Sequence, residues 1–351
     1  MVRLYNRDWT RREIEERVGR IDQIGGIQRV RGAEGVEDGV ELVRIRTGAG
    51  LSFDVIPSRG LDIGMSEYGG VPIGWLAPGG VAHPAYYDAQ GEEWLRTAAG
   101  GLLMTCGLMN VGNPSVDGGL SYGLHGRVHH LPARHVGVEG SWAGDEYEMT
   151  VKGTVDETSI FGDHLRLTRE IRSRLGENVI RIRDKVENVG FTRAAHMLLY
   201  HFNFGFPLMD EHTRIDFPEA ALSPREADMQ VDGYDRWQSP EKGYDERVYY
   251  HRNIRSADRA SVRIRNDRFP ASSGAALPIS VELSWDAANL PNLIQWKMPG
   301  QGTHVLGLEP ANCVVEGRAA ERERGTLVFL EPGESRQYEL ELQVNPGVTA
   351  P

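Results

Sequence analysis

From Gln337 to Val344 the chain alternates without a break. Tyr338, Leu340, Leu342 and Val344 fall in one phase, and Gln337, Glu339, Glu341 and Gln343 in the other. Successive side chains of a strand point to opposite faces, so this run reads as a strand with one wet face. Pro332-Gly333-Glu334 before it is a turn. The same period of two recurs at 39–46 (GVELVRIR), 52–56 (SFDVI), 147–151, 165–174 and 179–186 (VIRIRDKV). The 42 glycines punctuate these short runs throughout. Many strands, Gly/Pro turns and almost no helical period predict an all-β sandwich or barrel.

One helix is expected, over residues 8–18 (DWTRREIEERV), where Thr10 and Glu13 fit a capping box and Gly19 follows the end. Residues 1–20 then read as a helical extension, and the whole chain, 1–351, as a single domain. All-β units of this kind do run past about 200 residues. Residues 210–270 are the most polar and irregular stretch and read as an excursion decorating the sheet, with Tyr234, Trp237 and Tyr244 over the pocket.

Composition narrows the function classes. The net charge of −11, with basic residues such as Arg252, Arg255, Arg259 and Arg263 scattered among acidic and neutral ones, argues against nucleic acid. The N-terminus lacks the apolar core of a secretory signal, and no window approaches about 18 consecutive apolar residues, so a cytoplasmic protein with no membrane partner is expected. Cys106 and Cys313 are too few for a disulfide framework and read as two reduced thiols. P-loop, GxGxxG and GxSxG patterns are absent.

Four segments concentrate polar, chemically capable side chains in apolar, glycine-rich surroundings. In LYHFNFGFP (199–207), strand parity puts Leu199, His201 and Asn203 on one face and an aromatic wall of Tyr200, Phe202 and Phe204 on the other. In VLGLEPAN (305–312), Val305, Gly307 and Glu309 share a face, and a carboxyl so placed has its pKa raised by desolvation unless cations or donors hold it. In YGLHGRVHH (122–130), parity groups His125, Arg127 and His129; HExxH and Cys/His ligand patterns are absent. In WLRTAAGGLLMTCG (94–107), Arg96 follows Trp94, and an arginine can fork two hydroxyls or pair a carboxylate. Arg59 and Asp62 flank a tight turn in SRGLD, as an ion pair or as pocket rim.

Taken in order, these segments resemble the galactose mutarotase-like superfamily, the aldose 1-epimerases. Arg96 stands where that family has its arginine, Gly123-Leu124-His125-Gly126 matches its LHG element, Tyr200-His201-Phe202-Asn203 resembles its second histidine strand, and Leu308-Glu309-Pro310 matches its glutamate strand. The strings SRGLDI, GGLLMTCGL, GLHGR, HFNFGFPL and GLEPANC resemble a divergent bacterial branch often described only as a domain of unknown function. Arg127 replaces the second glycine of the family's LHGG, and Tyr200-His201 replaces its Asn-His pair.

The resemblance implies a large galactose mutarotase-like β-sandwich and a sugar mutarotase working on a free sugar by acid–base ring opening. Glu309 would take the O1 proton and His201 would protonate O5. His125, Arg96, Asn203, Arg59, Asp62 and Arg127 would bind the substrate, with no cofactor and no metal. Two alternatives stay open: another sugar isomerase, epimerase or lyase on the same fold, aided by a metal at His125, His129 and Glu309, and a carbohydrate-binding protein without catalysis. A homodimer is allowed by the sequence.

Overall fold

The computed structural model describes residues 1–254, 259–271 and 274–347; Arg255, one of the scattered basic residues, lies outside them. Among the described residues there are two large sheets of twelve and eight strands, and every ladder in them is antiparallel. The larger runs from Ala221–Pro224 through Arg247–Arg252, Asn292–Gly300, Thr303–Ala311, Ala194–Gly205, Leu103–Leu108, Asp62–Tyr68, Leu51–Ile56 and Glu41–Arg46 to Gly26–Arg31. Short strands Val328–Leu330 and Val71–Pro72 pair onto it. The smaller runs Arg134–Ala143, Glu146–Thr158, His164–Arg174, Val179–Asn188, Ser335–Pro346, Ala276–Trp285, Ala260–Pro270 and Thr213–Asp216.

The alternation seen in the sequence is what packs these sheets together. Tyr338, Leu340, Leu342 and Val344 are all buried, as are Ile180, Ile182, Asp184 and Val186 of the neighbouring strand. The apolar members of both strands meet Tyr200, Phe202, Phe204, Leu306 and Leu308 of the larger sheet in one continuous core. Each such side chain taken from water stabilises the fold by about 1.5–3 kcal/mol. The larger sheet has a second apolar cluster on its other face, built on Met104, Leu199, Ile294 and Ala311 and covered by Trp94 and Val315. Covered on both sides, the strand Ala194–Gly205 is buried along its entire length.

Two expectations need correction. The helix is shorter than the 8–18 span: the Thr10/Glu13 capping box is present, but only Arg11–Glu15 are helical, and Arg7–Trp9 form a strand. Residues 210–270 do not merely decorate the sheet. Their strands Thr213–Asp216 and Ala260–Pro270 extend the smaller sheet, while Ala221–Pro224 and Arg247–Arg252 extend the larger. Of these, Thr213–Asp216 and Ala221–Pro224 are the edge strands of their sheets, while Arg247–Arg252 and Ala260–Pro270 are paired on both sides.

Between the sheets lies an ionic cluster closed to solvent. Arg169 and Asp62 are fully buried. Arg169 reaches Asp62 at 2.8 Å and Asp184 at 2.6 Å, Thr105 donates to Asp62 and Tyr200 to Asp184. Arg169 and Asp184 belong to the smaller sheet, and Asp62, Thr105 and Tyr200 to the larger, so the guanidinium latches one sheet to the other. Removing one partner strands the other charges without compensation. Arg169→Met is therefore expected to cost about 3–5 kcal/mol, read as a lower urea midpoint with an unchanged slope.

Candidate functional site

His201 and Glu309 meet because two adjacent strands are in register. Leu199 pairs with Ala311 and Phe202 with Leu308 across Ala194–Gly205 and Thr303–Ala311, which sets His201 opposite Glu309. Both side chains project from the face carrying the second apolar cluster. His201 Nε2 and Glu309 Oε1 are 3.2 Å apart, and only 7% and 2% of the two residues are exposed. They line a cleft of about 510 Å³ together with His125, Trp75, Trp94 and Trp296.

Burial sets the protonation of this pair. Desolvation raises the Glu309 carboxyl well above its ordinary range, and the charge of Glu246 adds to the rise. Desolvation lowers the His201 imidazole, and His125 lowers it further. Both effects favour the uncharged forms, a neutral imidazole beside a carboxyl that keeps its proton. His125 is likewise held neutral, its pKa lowered to about 4 by burial and by His129. Its Nδ1 accepts from the Gly112 amide at 3.4 Å, which leaves the ring proton on Nε2 as a donor.

Gly307 makes room for the pair. A Cβ there would lie 2.5 Å from Glu309 Oε1, 2.9 Å from Trp296 Cβ and 3.3 Å from His201 Cε1. Gly307→Ala should push Glu309 out of line. The expected result is a stability cost of about 1–3 kcal/mol, read as a lower midpoint in a melting curve.

The other predicted site residues scatter. Arg96 points outward: its side chain is 76% exposed and paired with Glu93, while Trp94 on the same short 3₁₀ turn lines the cleft. Arg59 is buried away from the cleft, with the Ala82 and Thr97 carbonyls each at 2.7 Å. Asp62 belongs to the inter-sheet cluster, and the pair is thus neither an Arg59–Asp62 bridge nor a pocket rim. Asn203 is fully buried and donates to the carbonyls of Gly101 and His201. Arg127 is exposed and does not line the cleft.

Parity failed at 122–130 because the strand ends at Tyr122. His125 and Gly126 take positive φ, and Val128–His130 form a 3₁₀ turn. His129 consequently turns away to Asp62, 2.6 Å from its Nδ1, and does not join His125 and Glu309 around a common point. Among the described residues no group of three His, Cys, Asp or Glu side chains is arranged to hold a metal ion.

Several lining residues were not anticipated. Trp296 donates its Nε1 proton to Glu246 at 2.8 Å, and Arg225 donates to the other Glu246 oxygen at 2.9 Å. The Trp296 ring stands 5.6 Å from His201 and 6.3 Å from Trp75, so the tryptophans wall the pair. The period-two phase of Ile294 and Trp296 in NLIQWKM was the available signal. Arg225 and Glu246, not Tyr234, Trp237 and Tyr244, are what the 210–270 stretch brings to the cleft, together with Val248.

This architecture is a galactose mutarotase-like β-sandwich. A proposed aldose 1-epimerase from Klebsiella pneumoniae superposes with a TM-score of 0.79 at 24% identity, over 94% of this chain and 89% of that one. A galactose mutarotase-like protein from Clostridium acetobutylicum gives 0.59 at 14% identity over 92% and 99%, and a galactose 1-epimerase from Lactobacillus acidophilus 0.56 at 11% over 92% and 100%. At these identities the likeness establishes the fold. No curated protein matches the sequence. The chain belongs to the DUF4432 family, a domain of unknown function, whose model matches residues 37–344. None of the helices is long and apolar enough to cross a membrane, among the described residues.

Proposed function

We propose that this protein is a sugar mutarotase, interconverting the α and β anomers of a free sugar in the His201/Glu309 cleft. The observation that carries the reading is the 3.2 Å approach of the His201 imidazole to the Glu309 carboxyl, walled by tryptophans, in a fold shared with proteins described as aldose 1-epimerases. Mutarotation asks for one base and one acid beside a hemiacetal, and the pair supplies both with a single proton between them.

The neutral pair sets the opening half-reaction. His201 Nε2 takes the O1 proton and Glu309 gives its proton to the ring oxygen. The O1 electron pair forms the carbonyl as the C1–O5 electrons move to O5. After rotation about C1–C2 the ring recloses, Glu309 acting as base and His201 as acid, so the enzyme ends as it began. These starting roles are the reverse of those expected from the sequence, because burial holds the proton on the carboxyl and not on the imidazole. His125 donates its Nε2 proton to a sugar hydroxyl, and Trp296 and Trp75 cover the apolar face of the ring.

The test is proton NMR anomer exchange with the purified protein over free hexoses, pentoses, deoxy sugars and uronic acids. Catalysed exchange is expected for at least one. Spontaneous rates across the panel, with binding detected, would instead favour a carbohydrate-binding protein.

A further inference from the structure

Two orphaned polar atoms lie beside the catalytic pair. His201 Nδ1 and Asn203 Oδ1 are both buried and have no hydrogen-bond partner among the described residues. They sit two residues apart on one strand, on the same face, and are complementary: one can donate and the other can only accept. The orientation of the Asn203 amide is fixed independently. Its nitrogen donates to the Gly101 carbonyl at 3.1 Å and to the His201 carbonyl at 3.0 Å. A flipped amide would set its oxygen against two carbonyl oxygens, so Oδ1 must be the end left over.

We infer that Asn203 is a positioning residue: its Oδ1 accepts the Nδ1 proton of His201 and fixes the ring as the tautomer whose Nε2 lone pair faces Glu309. This bond satisfies two buried groups at once, each of which would otherwise cost about 1–3 kcal/mol. Burial and the neighbouring His125 and His129 depress the ring's basicity, and the Asn203 amide and the ring's own backbone carbonyl oppose them. Glu309 is the carboxyl facing the ring from the adjacent strand. Every acceptor around Nδ1 asks for a proton there, and none supplies one. The opposite tautomer would leave no base for O1. The catalytic consequence rests on the mutarotase reading, whereas the tautomer does not.

The experiment is a long-range ¹H–¹⁵N spectrum of histidine-labelled protein near neutral pH, with His201 assigned by the signal lost in His201→Gln. The neutral ring is expected to carry its proton on Nδ1, with Nε2 unprotonated. A proton on Nε2 overturns the inference, whatever the sugar assays show. In Asn203→Leu the Nε2-protonated form should gain population; an unchanged His201 tautomer in that folded variant would remove Asn203 from the role. Should the variant not fold, the wild-type spectrum decides alone.

Discussion

Glu309→Gln is expected to abolish catalysed anomer exchange while the protein stays folded. The substitution keeps the shape of the side chain and removes its acid. With no proton to give O5 and no carboxylate to receive one on reclosure, both half-reactions lose one partner, and the rate should drop by about 10²–10⁴. Stability should move the other way. Glu309 has a folded pKa well above its unfolded value. At neutral pH the unfolded carboxyl releases its proton and gains hydration, which favours unfolding. Glutamine has no proton to release, so the variant should melt at or above the wild-type temperature. Exchange rates on the sugar found in the panel, set beside a melting curve, read both effects. Full turnover in a folded Glu309→Gln protein would remove the carboxyl from the mechanism.

The faces of His201 and Glu309 were legible because strand parity is a strong local rule, whereas their pairing came from the family resemblance. Leu199, His201 and Asn203 were placed opposite Tyr200, Phe202 and Phe204, and the aromatic residues do line the main core. Glu309 was read with Gly307 on one face, and the two side by side shape the cleft floor. Parity does not survive past a strand end, which is why His129 and Arg127 were misgrouped with His125. Charge patterns misled at Arg96, Arg59 and Asp62. An arginine beside a tryptophan looks the same in sequence whether it snorkels outward or turns inward, and a buried Arg–Asp cluster looks like a surface one. The walls of the cleft come from separate segments around Trp75, Trp94, Arg225, Glu246 and Trp296. Their convergence depends on the order of the strands in the larger sheet, and no local pattern encodes that order.

Acid should unfold this protein well before its carboxylates titrate. His125, His130, His196 and His251 all have folded pKa values lowered chiefly by burial, to about 4 for His125 and His251 and about 3 for His196. Their unfolded values are about 6.5. The unfolded chain therefore binds more protons below that point, and stability falls as pH drops from about 6.5 toward 4. Two pairs stand outside the sum. Across much of this window the His201/Glu309 pair holds one proton folded and about one unfolded, so it nearly cancels. His129 has its pKa lowered to about 4, chiefly by burial, against the pull of the Asp62 carboxylate 2.6 Å from its Nδ1, and is counted with Asp62 as a coupled pair. Glu157 acts in opposition: its carboxyl, raised by burial to about 7, keeps a proton that unfolding releases. Four histidines against one glutamate leave about three protons, a slope approaching 4 kcal/mol per pH unit as an upper bound. Against a total stability of about 5–15 kcal/mol, such a slope removes most of it within two to three units. Asp62 adds nothing in this window. Its pKa is held below the ordinary value despite burial, by His129, Arg169 and Thr105, so its contribution is lost only at still lower pH. Urea midpoints at pH 7.5, 6.5 and 5.5 measure the effect. His196→Leu, which loses the 2.7 Å contact with the Tyr338 hydroxyl, should be less stable at pH 7.5 yet show a slope shallower by about 1.4 kcal/mol per unit. A stability flat from pH 7.5 to 5.5 would mean that these imidazoles take up protons in the folded state, and that the interior is wetter than its packing indicates.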